Sequence, residues 1–151
     1  MDFSNDFAVA QHVDQVWDTM INLERILPLV PYTTVLEGSG SSVTAQIKVR
    51  FGSVSMTYVG SAEVVERDDR NHRAVMSANA RQTGGRSCVN ARVEIQLTAS
   101  GDHTTGTIVS MINVPALGGQ TGMATISRTT EAMIAAFAQN LATMPAPLLA
   151  A

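Results

Sequence analysis

Cysteine is almost absent from this chain: Cys88 is the single one in 151 residues, which excludes an internal disulfide and fits a reducing compartment. Aromatic residues make up only 5%, so bulky fillers for an interior are scarce. No run of lysine or arginine occurs and the formal net charge is −3, so there is no electrostatic footprint for phosphates and nucleic acid is not an expected partner. No apolar stretch reaches the ~18 residues of a membrane span. The opening MDFSNDFAVA has neither the basic segment nor the apolar core of a signal peptide, and the cytoplasm is the expected location. Internal repeats, low-complexity linkers and composition breaks are also missing, so one domain over 1–151 is expected. What is present is an ordinary globular balance, 45% apolar and 15% charged.

Periodicity divides the chain into three parts. A short strand is expected over Phe3–Ala10, followed by a helix in HVDQVWDTMI, where Val13, Trp17, Met20 and Ile21 recur at helical spacing. Asn22 is placed to cap a second helix, LERILPLV, with Glu24 in its first turn. Pro28 and Pro31 disfavour helix at the residues before them, so this helix is brief. From Val35 to about Val114 the period is two. Val43, Ala45, Ile47, Val49 and Phe51 alternate with polar residues; Val54, Met56 and Tyr58 share a face; Val89, Ala91, Val93, Ile95 and Leu97 point inward. Turn signals at Gly52, RDDRN, TGGR and SGDH separate about six strands and predict an antiparallel meander. Helical period returns from about Gly118 to Met144, with Met123, Ile126, Thr130, Ile134, Phe137, Leu141 and Met144 in one stripe and Pro145 and Pro147 as stops.

An α+β fold follows. A sheet with one apolar face must be covered, and the long C-terminal helix is the element available to cover it, so the sheet curls around that helix. Ala45, Ala62, Ala74, Ala78, Ala80 and Ala91 are small residues for such a sheet. Interiors are normally filled to crystal density, so small residues mean close helix–sheet packing or a cavity, and the residues alone leave both open.

Catalytic and metal chemistry find little support. His12, His72 and His103 stand far apart without paired acids or cysteine at ligand spacing, so no metal is expected. Cys88, with Arg86 and Arg92 near in sequence, reads as an inert thiol. Asp68 and Asp69 fall in a polar turn, where nothing buries them enough to raise a pKa. ALGGQTGMA lacks the Lys-Ser/Thr of a phosphate loop and reads as a flexible lead-in to the last helix. No nucleophile–base pair can be assembled, and neither catalytic residues nor a cofactor are expected. Met56, Met76, Met111, Met123 and Met133 fit core filling and an adaptable pocket alike.

Three segments, FAVAQHVDQVWDTMINLERILPLVPYTTVLEG, IKVRFGSVSMTYVGSAEVVERDD and EAMIAAFAQNLA, resemble in order the CoxG family, the G-subunit family of carbon monoxide dehydrogenase. That family lies within the START-like, polyketide cyclase superfamily. The most specific pieces are the VW of the first helix and the VRFGSVSMTYVG hairpin. The resemblance implies a helix-grip fold with a hydrophobic cavity between sheet and C-terminal helix. It further implies a non-catalytic accessory role to a carbon monoxide dehydrogenase-type molybdenum hydroxylase, with a lipophilic ligand such as a quinone. On that fold the expected lining is Met56, Tyr58, Met111, Ile126, Thr130, Ile134 and Phe137, with Tyr58 and Thr130 orienting a ligand carbonyl. Leu27, Leu29, Val30 and Tyr32 are expected at the open end as a portal or as its seal. Family members usually carry a Cys-Pro-Gly-like triplet where this chain has Val30-Pro31-Tyr32, so a different backbone is expected there. The resemblance also implies peripheral membrane contact, while MPAPLLAA, in place of the family's long apolar-ended tail, gives little support to attachment through a tail. A homodimer through an open sheet edge is a further expectation. A polyketide cyclase-like enzyme and an interaction module with a filled core are the alternatives.

Overall fold

The computed structural model describes residues 1–114 and 123–144. The chain begins with β1 (Asp2–Val9), α1 (Val13–Met20) and α2 (Leu23–Ile26), the last continued by a 3-10 turn over Leu27–Leu29. Then come β2 (Thr33–Ser39), β3 (Ser42–Phe51), β4 (Val54–Asp68), β5 (Arg73–Gln82), β6 (Cys88–Ser100), β7 (His103–Asn113) and finally α3 (Met123–Ala142). All pairings are antiparallel, in the order β1-β7-β6-β5-β4-β3-β2. The meander is therefore continuous from β2 to β7, and β1 returns to the far edge beside β7. The expected helix-grip architecture is present: a curved seven-stranded sheet, two short helices after the first strand, and a long C-terminal helix.

Local chemistry explains the segment that joins the two short helices to the sheet. Asn22 caps α2 as expected, its Oδ1 accepting from the Glu24 amide at 3.1 Å. Glu24 then accepts from the Gly40 amide at 2.9 Å, and the Leu23 amide donates to the Gly40 carbonyl at 2.7 Å. These bonds pin α2 to the β2–β3 turn. Pro28 sits within the 3-10 turn and ends the helical path, as its ring and missing N–H require.

Two irregularities help the sheet curve. Register shifts occur between Val35 and Glu37 in β2 and between Val64 and Glu66 in β4. The residues at the two bulges, Leu36 and Val65, are exposed although apolar, because a bulge interrupts the alternation that would bury them. At Gly60 the backbones of β4 and β5 leave no room for a side chain; a Cβ there would collide with the Asn79 carbonyl and with Ala80.

The interior has two apolar clusters. One joins β1, α1 and α2 to the far half of α3 through Val9, Val16, Trp17, Met20, Leu23, Phe137 and Leu141. The other gathers Val49, Phe51, Tyr58, Val114 and Ile126 near the β3–β4 turn. On α3 the expected stripe is buried at Ile126, Thr130, Ile134, Phe137 and Leu141, with Ala138 beside it. The side chain of Met123, the glycines at 118, 119 and 122, and Pro145 and Pro147 lie outside the described residues.

Candidate functional site

Between the concave face of the sheet and α3 lies an apolar cavity of about 270 Å³. Its floor is set by the alanines. Ala45 pairs with Gly60 and Gly60 with Ala80, while Ala62 pairs with Ala78 and Ala78 with Ala91. Strand parity turns both cross-strand rows to the helix side, and each of these residues lines the cavity. Short side chains on neighbouring strands cannot reach α3, so the space stays open. The sixth alanine, Ala74, is fully buried in the first cluster and does not line it. Of the two readings the small residues allow, the cavity is the one present.

The expected lining is brought together only in part. Tyr58, Thr130, Ile134 and Phe137 line the cavity. Met111 is corrected: it is 43% exposed on the outer face of β7, and Ser110 and Ile112 take the inner positions. In β7 the segment Ile108–Ile112 is apolar on both faces and carries a serine inside, so alternation gives no clear parity and side-chain size misleads. Ile126 is corrected as well. It is buried one helical turn before Thr130, against Val49, Phe51 and Val114, rather than at the cavity wall. Met56 pairs with Val49 near the β3–β4 turn, and its sulfur accepts from the Tyr58 hydroxyl at 3.3 Å instead of lining the space. Met133 does line it; its signal is helical, three residues after Thr130.

The residues expected at the open end separate in the same way. Leu27 and Val30 line the cavity. Leu29 is half-buried outside it, and its carbonyl accepts from Asn140 Nδ2 of α3 at 2.8 Å. Tyr32 is 79% exposed, with φ +59°, the left-handed conformation that glycine adopts without strain. The backbone at Val30-Pro31-Tyr32 thus takes a glycine-type turn although the glycine is missing.

Among the described residues the lining contains no aspartate, glutamate, lysine, arginine, histidine or cysteine. The two polar groups expected to orient a ligand are already engaged. Thr130 donates to the Ile126 carbonyl at 2.8 Å, and the Tyr58 hydroxyl meets Ser87 Oγ at 2.9 Å. Thr130 can therefore only accept from a ligand, not donate to one.

The ionisable groups lie elsewhere. Asp69 is held below the ordinary carboxylate range by the Arg67 guanidinium first and the Trp17 indole N–H second, at 2.7 and 2.9 Å. Asp68 is lowered by hydrogen bonds from Asn71. On the convex face Arg73 holds Glu94 down through a 2.6 Å bond. His72 meets the Trp17 ring edge-on at 5.5 Å, His103 lies beside Asp102, and His12 precedes α1. Among the described residues no group of three potential metal ligands converges.

The family model for the G-subunit of carbon monoxide dehydrogenase (CoxG) matches residues 6–144. The chain belongs to the CoxG family. Solved structures place this CoxG chain in a wider fold group. A conserved protein from Geobacillus kaustophilus is 15% identical at TM-score 0.77, covering 93% of this chain and 92% of its own. The Zhui aromatase/cyclase from Streptomyces sp. R1128 is 13% identical at TM-score 0.63, covering 93% and 90%. Truncated norcoclaurine synthase from Thalictrum flavum is 12% identical at TM-score 0.57, covering 95% and 92%. At such identities these likenesses speak for the fold alone. No curated protein matches the chain.

Proposed function

We propose that this CoxG-family chain binds a lipophilic small molecule between the sheet and α3, without catalytic residues of its own. It serves as an accessory to a carbon monoxide dehydrogenase-type molybdenum hydroxylase, with a quinone as the ligand class that fits such a role. The observation that carries the reading is the cavity of about 270 Å³, whose lining among the described residues has no Asp, Glu, Lys, Arg, His or Cys side chain. Acid–base chemistry needs a titratable group within reach of the substrate, and an apolar wall favours transfer of an uncharged molecule from water. The ligand passes the corner formed by Leu27, Leu29, Val30 and Tyr32.

Native mass spectrometry of protein purified gently from its own host tests the reading. A neutral, organic-extractable adduct supports it. A ligand-free chain that also takes up no naphthalene-sized hydrocarbon overturns it. Co-elution with a molybdenum hydroxylase from the same lysate tests the partnership. Among the described residues no helix is long and apolar enough to cross a membrane.

A further inference from the structure

Among the described residues the buried hydroxyls are hydrogen-bonded, with one exception inside the cavity. Thr19 donates to the Gln15 carbonyl at 3.3 Å and Thr104 to the Gln11 carbonyl at 2.9 Å, while Thr130 and Tyr58 are engaged as described above. Ser110 is 2% exposed, yet its hydroxyl forms none of the side-chain hydrogen bonds of the described residues. It sits on the inner face of β7, paired with Phe3 on one side and Val93 on the other, and it lines the cavity. The fully enclosed side-chain polar atom without a partner among the described residues is Gln11 Oε1, so the Ser110 hydroxyl is a donor open to the cavity. An occupant that fills the cavity leaves it unpaired unless it accepts from it.

We propose that Ser110 is the specificity-determining donor of this cavity, and that the ligand is an uncharged apolar molecule carrying a carbonyl-type acceptor. This rests on the ligand-binding reading above and narrows it. A charged ligand would find no counter-charge in the lining, and burying an unpaired charge is prohibitive. A ligand that brought only a donor would leave the Ser110 proton without an acceptor, and an orphaned buried donor costs its full desolvation penalty. A trapped water needs about two to four polar partners, and the inward residues beside Ser110 in register, Val93, Ala91 and Ile112, offer none. Size is consistent as well. An engineered apolar cavity of about 150 Å³ holds benzene, so about 270 Å³ accommodates two fused rings.

The test uses two probes of similar shape, 2-acetylnaphthalene and 2-ethylnaphthalene, with equilibrium dialysis against the wild-type chain and Ser110→Ala. The expected result is that the variant loses about fivefold in affinity for the ketone, the worth of one neutral hydrogen bond, and almost nothing for the hydrocarbon. Equal losses for both probes, or none for either, overturn the role of Ser110 and leave the cavity standing. Failure of the wild-type chain to bind either probe overturns the cavity reading and the Ser110 assignment with it. A second measurement guards against a purely structural role. The ligand-free variant should keep or raise its Tm, because removing an unpaired hydroxyl costs no contact. A fall in Tm would mean that the hydroxyl already has a partner, and would refute the proposal.

Discussion

Replacing Ala78 with leucine puts three additional carbons into the middle of the cavity floor, since Ala78 pairs with Ala62 and Ala91 and shares their inward face. At about 0.8 kcal/mol per buried methylene the transfer gain is about 2.4 kcal/mol. Restricting the leucine rotamer takes back about 0.5–1 kcal/mol, which leaves a net gain of about 1.5 kcal/mol. For a chain of this size that is a rise in Tm of about 3–6 °C. Urea denaturation and a thermal melt measure the stability, and equilibrium dialysis with 2-ethylnaphthalene measures the space. The two readouts should move in opposite directions, with stability up and probe uptake strongly reduced. A core already filled would respond in the other sense, because forcing extra methylenes into dense packing costs about 1–3 kcal/mol. Destabilisation of Ala78→Leu by that amount, with probe binding untouched, would refute the reasoning that small residues keep a space open.

Gly60→Ala should destabilise by about 1–3 kcal/mol, because the new methyl meets the Asn79 carbonyl and Ala80 backbone, neither of which can swing away; urea midpoints check it. Asp69→Asn should lower stability at neutral pH and flatten the acid limb of the pH–stability curve. The Asp69 carboxyl is depressed in the folded state, so its contribution is present above the unfolded value and is lost as pH falls below about 4. An acid limb identical in the two proteins would contradict the assignment. Tyr32→Gly relieves a left-handed residue worth about 1–2 kcal/mol, offset by about 0.5–1 kcal/mol of unfolded-chain entropy. A neutral to slightly stabilised protein by urea denaturation is expected, and a clear loss would argue against the strained turn.

Much of the fold is legible in the sequence because its signals are local. Alternation over Val43–Phe51 and Val89–Leu97, turn residues at each reversal and the stripe on the last helix all follow from backbone periods, and the structure has these elements close to the expected bounds. The cavity is legible only as one of two possibilities, since alanines at 45, 62, 78, 80 and 91 do not say whether a helix approaches them. That depends on where long-range packing at Val16, Trp17, Leu23 and Leu141 holds α3. The site is least legible, for reasons particular to each residue. Met111 has the bulk of a core residue but stands where the alternation is ambiguous, and a serine in a strand normally marks the wet face, which hides Ser110. Trp17 carries the helical signal of the VW pair, yet its indole bond to Asp69 spans 52 positions and has no local signal.

The corner from Leu27 to Tyr32 connects these levels. Its prolines end α2 and prevent a helix from running on over the cavity, so the chain must turn sharply to reach β2. The turn needs a residue at positive φ, and here a tyrosine occupies that place at φ +59°. The conformation is held by its surroundings: the Lys48 amide donates to the Tyr32 carbonyl at 3.1 Å, and the hydroxyl of Thr33 to the Pro31 carbonyl at 3.4 Å. As a result the corner has two faces, with Leu27 and Val30 in the cavity wall and the Tyr32 ring in water. On the side toward α3, among the described residues, one side-chain hydrogen bond, from Asn140 to Leu29, joins corner to helix. Parting it costs about one neutral hydrogen bond, about 0.5–1.5 kcal/mol, together with the apolar packing of Leu27, Leu29 and Val30 on the core, whereas parting two strands costs a ladder of hydrogen bonds. On the ligand-binding reading proposed above, the entry path to test is the one between Leu29 and Asn140.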